Sequence, residues 1–101
     1  MSILAQIVAD QRKEITLKKA VVSQTQLYDM PLYNRQIISF SNAIKNTPLG
    51  TVAEHKRRSP SKPEIKLQSR AAAVAQGYEK AGVAAMSVLT NNQYFGGSLE
   101  D

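Results

Sequence analysis

Glu54 and Lys56 stand two residues apart in a short segment, Thr51-Val52-Ala53-Glu54-His55-Lys56, that starts after Gly50 and is β-branched early. The pattern predicts a strand over residues 51–56. On a strand, side chains two apart share a face, so a carboxylate and an ammonium point to one side and His55 to the other. A carboxylate can take or give a proton, and an ammonium can hold an anion or protonate it. At the carboxyl end of a parallel strand, this pair occupies the place where α/β proteins put their ligand chemistry. Spacing alone also allows a solvated ion pair with no further role. His55 has no second His and no Cys to share a metal ion with, so it reads as a packed or partly exposed outward ring, and no metal site is expected.

The strand runs into Lys56-Arg57-Arg58-Ser59-Pro60-Ser61-Lys62-Pro63, a basic loop set by two prolines. It could cradle a phosphate or carboxylate, or serve as a basic localisation or phosphorylatable Arg-Ser tract. On composition alone a solvated basic loop comes first.

The elements that would hold these residues follow from periodicity and caps. Ser2 is a candidate N-cap, and Ile3, Leu4, Ile7, Val8, Gln11 and Ile15 keep one helical face. That helix fades near residues 19–21. Ser23 and Gln26 have capping-box spacing, which predicts a short helix to Asp29 before Pro31. Residues 40–45 allow one or two more turns. These segments read as a helical extension packed on something larger, or as a lid or partner surface. Residues 69–81 predict a helix with Val74, Tyr78 and Ala81 on one face and Gly82 as its stop. Residues 84–90 predict a second strand, 91–97 its loop, and 98–101 a helix opening capped by Ser98. Strand, loop, helix and strand make one βαβ unit with parallel strands. Such strands are normally covered on both faces. One unit cannot do that, so the sequence reads as the opening part of a larger α/β fold.

Composition sets the outer bounds. The chain has 101 residues, 13 Lys+Arg against 8 Asp+Glu, and no Cys or Trp. That length allows one domain at most, burying roughly 60–65% of its unfolded surface. A disulfide scaffold, a thiolate metal site and a cysteine nucleophile are excluded. No apolar run approaches the ~20 residues of a membrane span, and the N-terminus resembles no signal or transit peptide. A reducing compartment, most simply the cytoplasm, is the expectation. The net charge of +5 favours anionic ligands without naming them.

Val52-Ala53-Glu54-His55-Lys56-Arg57-Arg58-Ser59-Pro60-Ser61-Lys62 resembles the signature of the indole-3-glycerol phosphate synthase family, with Glu and Lys on the first barrel strand followed by Ser-Pro-Ser. The likeness runs both ways along the chain. Residues 1–15 look like the family's N-terminal helix. Pro31-Leu32-Tyr33 and residues 39–45 look like its pre-barrel region. Residues 81–90 and 94–101 are similar to its second strand and the turn after it. Two departures stand out. The family usually has an apolar residue where His55 stands, and often Gly where Pro63 stands. A polar ring at 55 needs a partner or an exposed position.

The resemblance implies an α/β fold, the N-terminal part of a (β/α)8 TIM barrel, with a helical extension over 1–48 and the first βαβ unit over 49–101. A whole barrel needs roughly 250 residues. It also implies closure of an indole ring on a phosphorylated, anthranilate-bearing small molecule, with loss of carbon dioxide and then water, and with no metal or organic cofactor. By resemblance Glu54 and Lys56 are catalytic, Ser59 is a substrate-contacting hydroxyl, and Phe95 is a wall for the anthranilate ring. Phe95 is expected to be exposed or mobile when its pocket is incomplete. The family's remaining catalytic groups lie on later strands, so the 101 residues alone are expected to be inactive. Two other classes stay open. One is a self-associating structural piece, because unpaired strand edges template pairing. The other is a nucleic-acid-binding module using residues 56–62, disfavoured because few aromatics flank the run and no groove-reading helix is evident. Neither a nucleic acid nor a membrane is the expected partner.

Overall fold

The computed structural model describes residues 2–101. They fall into two compact units, one reaching to Ile37 and the other spanning Ile38–Asp101.

In the first unit, α1 runs over Ile3–Val21. The Ala5 N–H donates to Ser2 Oγ at 3.1 Å, which satisfies one of the amides a helix start leaves free. Lys18 and Lys19 occupy the last turn, where cations suit the helix dipole. Glu14 and Lys18, one turn apart, pair at 3.0 Å. The next helix, α2, covers Gln24–Tyr28 and starts with the predicted reciprocal cap. The Gln26 N–H donates to Ser23 Oγ (3.1 Å), and the Ser23 N–H donates to Gln26 Oε1 (2.7 Å). Tyr28 then packs at a tilt on Tyr33, ring centres 5.1 Å apart. No residue of α1 or α2 is buried.

The second unit holds the rest: α3 (Phe40–Asn46), β1 (Val52–His55), α4 (Ala71–Lys80), β2 (Ala85–Val88) and α5 (Asn92–Phe95). The strands are parallel, with Val52 opposite Ala85, Glu54 opposite Ser87 and His55 opposite Val88. Helix α4 connects them and packs against both, as a βαβ unit requires. Ala71 (6% exposed), His55 (5%) and Gly97 are the buried residues among those described. The alternation along β1 follows from the pleat. Val52 and Glu54 are exposed, Ala53 is half-buried and His55 buried.

The sequence reading differs from the structure at the C-terminal end. Residues 91–97 were expected to form a loop, yet they contain a helical turn, α5. Asn91 caps it, accepting the Tyr94 N–H on Oδ1 at 2.8 Å. Gly96 ends it at φ +71°, a backbone conformation that glycine adopts without strain. Residues 98–101 make one turn, closed by the Asp101 N–H on the Ser98 carbonyl at 3.2 Å.

Candidate functional site

The end of β1 brings the predicted charged pair together. Lys56 Nζ lies 3.2 Å from Glu54 Oε1, and the two side chains are 36% and 51% exposed. At such exposure the pair adds little stability, about 0–1 kcal/mol. Both groups stay open to a ligand, a carboxylate that can accept a proton next to an ammonium that can give one or hold an anion. Ser87, paired with Glu54 in register, is exposed on the neighbouring strand and adds a hydroxyl to the same face. The sequence reading did not single it out, because only the register places it there.

His55 faces the other way, as the alternation requires. Of the packed and partly exposed positions the sequence allows, it takes the packed one, without the partner at Nε2 that a polar ring there needs. The ring is buried and that nitrogen has no hydrogen-bond partner. A depression of about 270 Å³ borders it, lined among others by Ser69, Val74 and Tyr78.

Ser59 begins a tight turn. Its N–H donates to the Lys62 carbonyl (2.9 Å), and the Lys62 N–H donates back to the Ser59 carbonyl and to Ser59 Oγ (both 3.1 Å). Proline at 60 fits such a turn because its φ is already set. The Ser59 hydroxyl also lies 3.3 Å from that of Ser61. Two hydroxyls and a lysine thus stand in one four-residue turn.

Phe95 ends α5 and is half-buried, neither open to solvent nor in the core. Its carbonyl accepts the N–H groups of Arg57 (3.2 Å) and Arg58 (3.3 Å), which docks the post-β2 loop on the start of the post-β1 loop. Arg58 Nη2 reaches the same turn, donating to the Asn92 and Gln93 carbonyls. Glu54, Lys56 and Ser59 therefore lie on one segment, to which the Phe95 backbone is hydrogen-bonded through Arg57 and Arg58, and Glu54 and Lys56 meet through their side chains.

Arg57 and Asp101 were missed by the sequence reading. Their carboxylate–guanidinium pair is bidentate, at 2.6 and 2.8 Å. Asp101 also accepts the Ser98 N–H at 3.0 Å. The Arg57 hydrogen bond, then that of Ser98, pull the Asp101 carboxyl down to about 2, while partial burial opposes them and the charges of Arg57 and His55 help. The Asp101 hydrogen bond in turn raises Arg57, against a smaller opposing effect of burial. The Ser98–Asp101 spacing is that of a capping pair and could have flagged the carboxylate. Its pairing across 44 residues with Arg57 is tertiary and left no local signal.

Among the described residues, no three His, Cys, Asp or Glu side chains converge as a metal site, and no helix is long and apolar enough to cross a membrane.

Comparison with known proteins gives one consistent result. The family model described as indole-3-glycerol phosphate synthase matches residues 4–101. An indole-3-glycerol phosphate synthase of Bacteroides thetaiotaomicron is 39% identical over 98% of this chain and 38% of its own length. Proteins of the same name from Opitutus terrae and a Geobacillus species are 40% and 43% identical, over 97% and 93% of the chain and 38% and 34% of their own lengths. The chain thus spans between a third and two-fifths of the curated relatives it matches.

Proposed function

The chain belongs to the indole-3-glycerol phosphate synthase family, and from that premise we propose that it supplies the first catalytic strand of such a synthase. The reaction is ring closure of 1-(2-carboxyphenylamino)-1-deoxyribulose 5-phosphate, with loss of carbon dioxide and water, to indole-3-glycerol phosphate in tryptophan biosynthesis. In this reading residues 49–101, which lie within the second unit, are the first βαβ unit of a (β/α)8 barrel, and residues 1–48 are its helical extension. The substrate is a small phosphorylated anion, the setting is the cytoplasm, and neither nucleic acid nor membrane takes part.

The observation that carries the reading is the Glu54–Lys56 pair, held on one open face at the carboxyl end of β1. Ring closure develops negative charge on the carbonyl oxygen under attack and later needs a proton removed. In this reading Lys56 holds or protonates the anion, and Glu54 acts as the carboxylate base. Ser59, at the head of a hydroxyl-rich turn, contacts the substrate. Phe95 offers a ring face to the anthranilate.

The test is a chimera in which residues 1–101 replace the matching part of the Bacteroides thetaiotaomicron relative, assayed for indole-3-glycerol phosphate. Turnover is expected from the chimera and none from the 101-residue polypeptide alone, since groups that act as a unit leave little rate when most are missing. A folded chimera without product rejects the assignment.

A further inference from the structure

The Arg57 side chain makes more long-range contacts than any catalytic candidate, yet the chemistry proposed above leaves it idle. It leaves β1 directly after Lys56 and fans out over three segments. Nε donates to the Ser69 carbonyl at 2.9 Å, where residues 56–70 return to α4. Nη1 donates to the Gly96 carbonyl at 3.1 Å, in the loop after β2. Nη1 and Nη2 grip the two oxygens of Asp101. Its main chain adds to this. The Arg57 N–H donates to the Phe95 carbonyl, and the Arg57 carbonyl accepts the N–H groups of Ile65 (2.9 Å) and Lys66 (3.2 Å). The Ser59 turn lies inside the loop closed by these contacts, and Phe95 lies on the segment they tie down.

A guanidinium is planar, so fixing two of its nitrogens fixes the direction of the rest. The bidentate grip of Asp101 therefore decides where Nε and the second Nη1 bond point. Asp101 is itself held, through the Ser98 N–H, to the turn that follows Gly97. Both partners are largely shielded, with side chains 15% and 12% exposed, unlike the open Glu54–Lys56 pair.

We propose that Asp101 is a positioning residue. By locking the Arg57 guanidinium it clamps the base of the β1–α4 loop to the loop after β2, and so fixes the separation of Ser59 and Phe95. As a statement about substrate binding this rests on the reading under Proposed function. As a statement about the two loops it rests on the contacts alone.

Two measurements test it. The first is amide hydrogen exchange on the chimera described above, with Asp101→Asn and Arg57→Lys. Asn keeps the shape of Asp101 but loses its charge. Lys keeps the charge of Arg57 but not its planar fork. Both should speed exchange at the amides of Arg57, Arg58, Ile65 and Lys66 by roughly fivefold or more, the scale of one hydrogen bond. The Ala84 and Leu89 amides, bonded to the Thr51 and His55 carbonyls in the sheet, should keep their rates. Unchanged loop amides overturn the proposal, and so do loop and sheet amides that quicken together, which would show general loosening.

The second measurement is kinetic, in the chimera described above. Asp101→Asn should raise KM by roughly fivefold with kcat within about twofold, Asp101→Glu should recover part of the loss, and Arg57→Lys should not. A fall in kcat at constant KM overturns the positioning role. An unaltered chimera without turnover rejects the proposed function instead, and the exchange rates then decide the clamp by themselves.

Discussion

Lys56 and Glu54 are half open to solvent and hold each other at 3.2 Å, so neither is needed for folding. Their substitution should therefore show in turnover and not in stability. In the chimera, Lys56→Ala should cost on the order of 2–5 kcal/mol in kcat/KM, the range for a charge pair broken in a desolvated complex. Glu54→Gln keeps the shape and removes the base, so it should lower kcat more than it raises KM. Steady-state kinetics beside thermal melts check both, and unchanged kinetics would remove the pair from the site. His55 is the opposite case, being buried with one ring nitrogen unpartnered. An unsatisfied buried polar atom costs about 1–3 kcal/mol, and an apolar group of like size carries no such cost. His55→Leu should raise the stability of the chimera to denaturant by about 1 kcal/mol. A lower midpoint would mean that Nε2 is satisfied in solution. Asp101 sets the acid limit. Its carboxyl is depressed to about 2 by Arg57 and Ser98, so the stability it brings is complete above the ordinary carboxylate range near pH 4 and is lost as pH falls from there through 2. His55 acts on it by charge, and Arg57, Arg70 and Glu100 line the same depression. Loop-amide exchange followed from pH 5 to 2 should show this loss in the unaltered chimera and not in its Asp101→Asn variant.

The elements show where local signals suffice and where they stop. The caps at Ser2 and Ser23 are side-chain bonds within three residues, and they were legible because everything they need is adjacent in sequence; the Ser39 cap of α3 is equally local but was not singled out. The parallel strands and their crossing helix were legible from β-branching, two prolines and an alanine-rich run. The register was not, since it depends on how α4 packs, and Ser87 beside Glu54 was lost with it. The turn α5 was read as loop because four residues carry no periodicity. Its Asn91 cap and glycine stop were the available signal. Gly97 belongs to the same segment, and its reason is spatial. A Cβ there would overlap the Leu89 carbonyl oxygen and come within 2.8 Å of Thr90 Cα. Gly97→Ala should therefore destabilise the chimera by about 1–3 kcal/mol, the usual cost of overpacking, and free the loop that carries Phe95. A melt unchanged from the parent would show that this backbone can shift. Phe95 itself is half-buried at the end of α5. If it serves as a ring wall, Phe95→Ala in the chimera should raise KM with little change in melting temperature. A several-degree fall in melting temperature at constant KM would assign it to the local core.

At the scale of the whole molecule, the question is what the 101 residues do with surface that their own elements leave open. In the second unit, Ile38 and Leu49 are each 90% exposed, and Leu99 is 76% exposed. In the first, Leu17 and Val21 of α1 are exposed to 70% and 79%. Single exposed apolar residues are ordinary, but this many beside so small a buried centre are not. Among the described residues, β1 and β2 pair only with each other, so each keeps one edge of unpaired N–H and C=O groups. An open edge with apolar neighbours is a template for another strand. Within a (β/α)8 barrel, flanking strands and helices would take up both. A polypeptide of these residues alone has only copies of itself to supply them. We therefore expect the 101-residue chain to self-associate, with a sedimentation coefficient that rises with concentration and a transition to urea that is broad and concentration-dependent. The chimera, whose later strands cover the same edges, should sediment independently of concentration over that range. A monodisperse 101-residue monomer with sharp, cooperative unfolding would mean that its few buried residues and its loop clamps suffice alone, and would place the association surface elsewhere or nowhere.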